Sequence, residues 1–250
     1  IAAGLALRGM RPVCYTIATF SLYRHFEMIR VDLCYQNLPV TIIGMGAGVI
    51  YSTLGGTHHS MEDISIASSL PNMTVLAPCD PIEMRIATEW CLTKSNGPVY
   101  MRLGKAGEPN LTENSNDDFI VGKIRNLVKG KKIAILSYGI TLKMCFEVNE
   151  LLEKNGISAS IYSCHTLKPF DEQKIATILS EYDKIVTIEE HVPNGGLSTS
   201  VKNAAWLNNS KAKIDTFTLK DEFIHFYGNH DQLLDVHGLS PSKIVKKILE

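Results

Sequence analysis

Residues 48–63 read GVIYSTLGGTHHSMED, and what brackets this stretch decides the fold. An apolar run, residues 40–45, precedes it and an amphipathic segment, residues 64–70, follows, giving the order strand, permissive loop, helix. Gly55 and Gly56 reach backbone angles closed to other residues, which lets the loop fold tightly against a ligand or another chain. Ser60 followed by Asp63 predicts a capping box at the helix start. Paired histidines in Gly-rich loops also occur as plain connections, and from these residues alone both readings stand.

Working outward, the same alternation repeats. Residues 12–19 (PVCYTIAT) predict a short buried strand, and residues 20–36 show the apolar spacing of one helix. Residues 73–77 predict a further strand, Asp80-Pro81 opens a helix with Asp as N-cap and Pro at its first position, and Gly97-Pro98 returns the chain to a strand at 99–103. Residues 104–116 are polar and turn-rich, and 118–132 are charged and weakly patterned, so the domain boundary is placed near 115. Strands at 133–137, 159–163, 184–189 and 214–219 then alternate with helices at 141–155, 171–180, after Gly195-Gly196 and from Ser240-Pro241. This pattern predicts two consecutive three-layer α/β/α domains with mainly parallel sheets, residues 1–115 and 116–250.

Composition narrows the function. A formal charge of −1 gives no bulk electrostatic case for nucleic acid or an anionic membrane. No apolar run is long enough to span a bilayer. Six scattered cysteines, with no CxxC pair, argue against zinc and a disulfide framework and predict reduced thiols in a cytoplasmic protein. The opening IAAGLALRG reads as the end of a helix closed by Gly9 whose beginning is cut away, so the chain is expected to be N-terminally truncated.

Four stretches then carry a resemblance: ATFSLYRHFEMIRVD (18–32), GGTHHSMEDISIASSLPNMTVLAPCDPIE (55–83), GPVYMRLGK (97–105) and EEHVPNGGLSTSV (189–201). Their order and spacing over essentially all 250 residues resemble the pyrimidine-binding and C-terminal domains of transketolases, above all the split form in which two polypeptides share the usual single chain. The resemblance implies thiamine diphosphate as cofactor, with Phe20, Tyr23 and Phe26 around its aminopyrimidine; all three equally suit a helix core. It implies His58 as the catalytic histidine beside the substrate oxygens, His59 as a weaker substrate contact, and Arg102 as the fork that grips substrate phosphate, assisted by Lys105. A strand-end arginine is also a common salt-bridge partner. His25 is expected to point elsewhere.

Departures from the family pattern matter as much. The glutamate that activates the cofactor falls just upstream of Ile1, Leu54 stands where classical members carry a substrate-reading aspartate, and Gly46 stands near another substrate histidine. No Gly-Asp-Gly motif for the diphosphate and its Mg²⁺ occurs, and ENSNDD (113–118) is a poor substitute. The chain is therefore expected to hold no metal itself and to rely on an N-terminal transketolase subunit for the diphosphate and Mg²⁺, with self-association through the first domain. The implied reaction transfers a two-carbon ketol unit between sugar phosphates. Alternatives are a deoxyxylulose-phosphate synthase, a 2-oxoacid dehydrogenase β subunit, or a non-catalytic assembly or regulatory subunit.

Overall fold

The computed structural model describes residues 1–113, 115 and 118–250. Part of the 104–116 boundary segment and of ENSNDD, namely Asn114, Asn116 and Asp117, thus lies outside the described residues.

The first unit runs α1 (Ala2–Leu7), β1 (Val13–Ile17), α2 (Ala18–Leu22), α3 (Phe26–Met28), a π-helical turn (Ile29–Cys34), β2 (Thr41–Met45), α4 (Asp63–Ser68), β3 (Thr74–Leu76), α5 (Pro81–Thr93) and β4 (Val99–Arg102). The second runs β5 (Arg125–Val128), β6 (Ile133–Ser137), α6 (Leu142–Glu153), β7 (Ala159–Ser163), β8 (Thr166–Lys168), α7 (Glu172–Glu181), β9 (Lys184–Ile188), α8 (Leu197–Leu207), β10 (Lys213–Phe217), α9 (His230–Val236) and α10 (Pro241–Leu249). Two five-stranded sheets result, ordered β1-β2-β4-β3-β8 and β10-β9-β6-β7-β5. Each is parallel except for one antiparallel edge strand, β8 against β3 and β5 against β7. The expected α/β class with mainly parallel sheets is the fold observed.

Central strands follow their sequence. β6 (IAILS) and β7 (ASIYS) are buried at every position, as strands covered on both faces must be. β1 corrects the expectation of a buried strand. It is the edge of its sheet, parallel to β2, and Val13, Cys14 and Tyr15 are exposed because nothing among the described residues covers that side. The expected helix at 20–36 is broken, with a turn between α2 and α3 followed by a π-helical turn in which Tyr35 donates to the Arg30 carbonyl five residues back. α5 starts as read: the Asp80 carboxylate accepts from the Glu83 N–H at 2.8 Å, with Pro81 at the first position. Gly9 takes the left-handed conformation just past α1 (φ 86°), as a helix-closing glycine does.

The units share more than a linker. β8 comes from the second unit yet completes the first sheet, and the Ala77 backbone after β3 accepts from Gly139 and donates to His165. One apolar cluster runs from Leu22, Ile42 and Ile64 through Tyr100 and Tyr138 to Cys164, Leu167 and Ile185. All six cysteines are free, and five are buried. Among the described residues, no helix is long and apolar enough to cross a membrane.

Candidate functional site

The loop after β2 is closed at its neck and tied down along its length. Gly48 and Ser60 exchange backbone hydrogen bonds of 2.8 Å in both directions. The Glu190 carboxylate, from the loop after β9, accepts from the Val49 N–H. Gly48 has φ 72°, and a Cβ there would fall on that carboxylate, so only glycine allows the neck to seat against Glu190. At the tip, the His58 and His59 N–H groups both donate to the Gly55 carbonyl, and Gly55 also has φ 72°. A compact loop with joined ends holds side chains far better than an open connection.

His58 stands on this loop among rings. Its edge meets Phe20 at 5.1 Å between centroids and Tyr51 at 6.1 Å. Thr57 Oγ1 lies 2.9 Å from His58 Nδ1, and the Thr19 hydroxyl donates to the Thr57 carbonyl at 3.0 Å, pinning the loop to α2. With Nδ1 engaged, Nε2 is left for another partner: it is a donor when Thr57 donates to Nδ1, and an acceptor when Nδ1 donates to Thr57. Two cations flank the rings, Arg24 with Cζ 4.3 Å from the Phe20 centroid and Lys105 with Nζ 5.7 Å from the Tyr51 centroid. Arg24 and Tyr51 were not among the residues singled out by sequence, although Tyr51 lies inside the opening stretch.

Not all the expected site residues gather here. Tyr23 ties the far end of the loop, its hydroxyl 2.9 Å from Glu62 Oε2 and 3.1 Å from Ser60 Oγ, and burial together with Asp63 raises its pKa well above the ordinary value. Tyr23 and Phe26, both partly buried, pack against the first core cluster, and of the three expected aromatics Phe20 is the one with a ring contact to His58. His59 makes none of the ring contacts that gather around His58. It is 4 % exposed, and burial lowers its pKa against the opposing pull of the Ser52 and Tyr51 backbone. A buried ring so placed suits loop packing.

Arg102 is enclosed as well. It is 4 % exposed, and its Nε donates to both Asp63 oxygens at 2.9 and 3.2 Å. Its Nη2 donates to the Glu190 carbonyl at 2.8 Å, and the Tyr138 ring lies 5.5 Å from Cζ. Tyr100 also donates to Asp63, at 2.7 Å. In this structure the Nε and Nη2 sides of the fork are engaged within the protein, the arrangement of a strand-end salt bridge. Asp63 accordingly forms no capping box with Ser60: the N-cap of α4 is Glu62, and it makes no side-chain cap bond. Lys105, three residues further on, is an exposed cation over the Tyr51 ring.

A second buried carboxylate completes the surroundings. Glu190 also pairs with His230 Nε2 of α9 at 3.0 Å. Burial pulls the imidazole pKa down, but the adjacent Glu190 charge outweighs it and the net shift is upward. Among the described residues, no group of three or more His, Cys, Asp or Glu side chains is placed to hold a metal ion.

Comparison with known proteins matches both halves. Residues 1–108 fit the family model "Transketolase, pyrimidine binding domain" and residues 122–244 the model "Transketolase, C-terminal domain". The chain is 32 % identical over 250 residues to one of the subunits of the apulose-4-phosphate transketolase of Phocaeicola vulgatus, covering 100 % of this chain and 79 % of that one. It is 34 % identical over 250 residues to a 1-deoxy-D-xylulose-5-phosphate synthase of Clostridium tetani, covering 100 % of this chain but 40 % of that enzyme. Among solved structures, a split gene transketolase described as an inactive beta4 tetramer superposes with a TM-score of 0.89 at 30 % identity, covering 99 % of this chain and 78 % of that one.

Proposed function

Because this chain belongs to the transketolase family, we propose that it is the C-terminal subunit of a split, thiamine-diphosphate-dependent transketolase that moves a two-carbon ketol unit between sugar phosphates. The observation that carries the reading is the His58–Phe20 face, held on a neck-closed loop with Nε2 left for a substrate oxygen.

The residues present fit one end of the cofactor. The partly buried Phe20 ring beside His58, with the Arg24 guanidinium over it, offers an aromatic contact to a heterocycle. By the likeness to a subunit of a transketolase, the diphosphate and Mg²⁺ are assigned to an N-terminal partner subunit. When bound, thiamine diphosphate supplies the carbanion chemistry of the transfer. His58 exchanges a proton with the substrate oxygen through Nε2 while Thr57 and Thr19 hold the ring in place. Lys105 takes the phosphate-facing role in place of the enclosed Arg102.

Self-association is supported by the uncovered edge of the first sheet. Val13 and Tyr15 are exposed on β1, and Tyr15 lines a groove of about 310 Å³ with His25, Met28 and Asp32.

The test is reconstitution with the N-terminal subunit, thiamine diphosphate and Mg²⁺. Xylulose 5-phosphate and ribose 5-phosphate should be converted to a seven-carbon ketose phosphate by the pair and by neither subunit alone. The likeness to a deoxyxylulose-phosphate synthase keeps a second reading open. Release of CO₂ from pyruvate with glyceraldehyde 3-phosphate, and no ketol transfer, would select it.

A further inference from the structure

Tyr51 occupies a position that a side chain at Gly46 would disturb. Its ring lies directly over Gly46, and a Cβ built on Gly46 would fall inside that ring. Gly46 also has φ 65°, so any L side chain there is strained as well as displacing the tyrosine. The backbone beneath is fixed: Gly46 donates to the Gly104 carbonyl at 2.9 Å and Ala47 to the Leu103 carbonyl at 3.2 Å. These bonds extend the β2–β4 pairing and set Lys105 beside Gly46. The Tyr51 ring therefore contacts two functional groups, edge to face with His58 at 6.1 Å and with the Lys105 ammonium 5.7 Å from its centroid. The ring is half-buried, leaving part of its surface free.

Building on the ketol-transfer reading, we propose that Tyr51, seated on Gly46, is the specificity residue of this site. Its ring forms the wall along which a sugar phosphate lies, carbonyl end at His58 and anionic end at Lys105, and so sets the length of acceptor that fits. A rigid aromatic wall with a reacting group at one end and a cation at the other selects by length, because a chain one carbon too short or too long cannot satisfy both ends. One carbon in such a pocket changes selectivity by about 10- to 200-fold.

The experiment uses the reconstituted complex and measures kcat/KM for erythrose 4-phosphate and ribose 5-phosphate. Tyr51→Leu should shift the ratio of the two by about tenfold or more. Gly46→Ala should shift it in the same direction by displacing an unsubstituted tyrosine, whereas Tyr51→Phe, which keeps the ring, should keep the ratio. Circular dichroism of each variant shows whether it folds; should Gly46→Ala fail, Tyr51→Leu carries the test alone. Equal losses on both acceptors, or a ratio unchanged within about twofold in a wild type that transfers ketol units, overturn the proposal and leave the ketol-transfer reading intact.

If the wild type transfers nothing, that reading falls and binding decides the wall. Ribose 5-phosphate is then titrated against the imidazole NMR signals of His58, with inorganic phosphate as control. Binding that is weakened by both Tyr51→Leu and Lys105→Met supports the wall. Binding unchanged by either variant, or no binding to the wild type, overturns it.

Discussion

Removing the Arg102 side chain should unfold this protein more readily, without a selective loss of phosphate recognition. Arg102→Ala takes two hydrogen bonds from Asp63 and one from the Glu190 carbonyl, leaving Asp63, with no measurable exposure, a single donor in Tyr100. Breaking a buried ion pair from one side costs about 3–5 kcal/mol, because the surviving charge has neither partner nor water. For a chain of this size each kcal/mol shifts Tm by about 2–4 °C, so the expected fall is about 6–20 °C by calorimetry or circular dichroism. The cost belongs to the orphaned charge, and this can be separated from other effects. Asp63→Leu combined with Arg102→Met in a Tyr100→Phe background removes the charges and the stranded hydroxyl together, and should recover most of the loss. An Arg102→Ala chain that melts within a degree or two of wild type, while its complex shows a KM raised for phosphorylated acceptors alone, would refute the reasoning and return Arg102 to the substrate.

Three further outcomes are expected. His58→Ala should lower kcat of the reconstituted complex by about ten- to a thousandfold with little change in cofactor affinity; an unchanged kcat in a folded variant would make His58 a loop residue. The Glu190–His230 pair should stabilise the chain most below the unfolded histidine pKa of about 6.5, and that contribution should be lost as pH rises through the raised folded value. Urea midpoints compared at acid and alkaline pH should show this decline in wild type and its absence in His230→Gln. Calorimetric titration of the isolated chain with thiamine diphosphate and Mg²⁺ should show no tight binding, and submicromolar affinity without a partner would overturn the half-site reading.

The alternation of strands and helices was legible because buried parallel strands are written as unbroken apolar runs, as at 133–137 and 159–163. The elements without such a run are short or lack a pattern. β8 is three residues long, and its partner β3 is far away in sequence, so no local signal marks it as the edge of the first sheet. β5 sits in a charged stretch, and α9 is a short helix whose capping box, Asn229 with Gln232, was the one cue available. The site divided in the same way. The neck-closed loop and His58 could be found from glycines and histidines close together in sequence. Whether Arg102 faced a ligand or a carboxylate depended on Asp63, 39 positions away, and such a pairing is invisible until the chain folds.

That long-range pairing also explains why the His58 loop belongs to both units. Its neck is held by the Glu190 carboxylate through Val49, and the Glu190 carbonyl is in turn held by Arg102 of the first sheet. Arg102 is fixed by Asp63, which opens the helix that follows the same loop. On the far side Tyr138 donates from the end of β6 to Glu189, whose carboxylate accepts from the first N–H groups of α8. A displacement of the second unit therefore moves Glu190 and, through it, both ends of the loop. Loop geometry is consequently set by the packing of the two units as well as by the glycines within the loop. Cutting the chain near 115 would separate β8 from β3 and Glu190 from Val49 at once, so the first unit alone should retain neither its sheet edge nor the placement of His58.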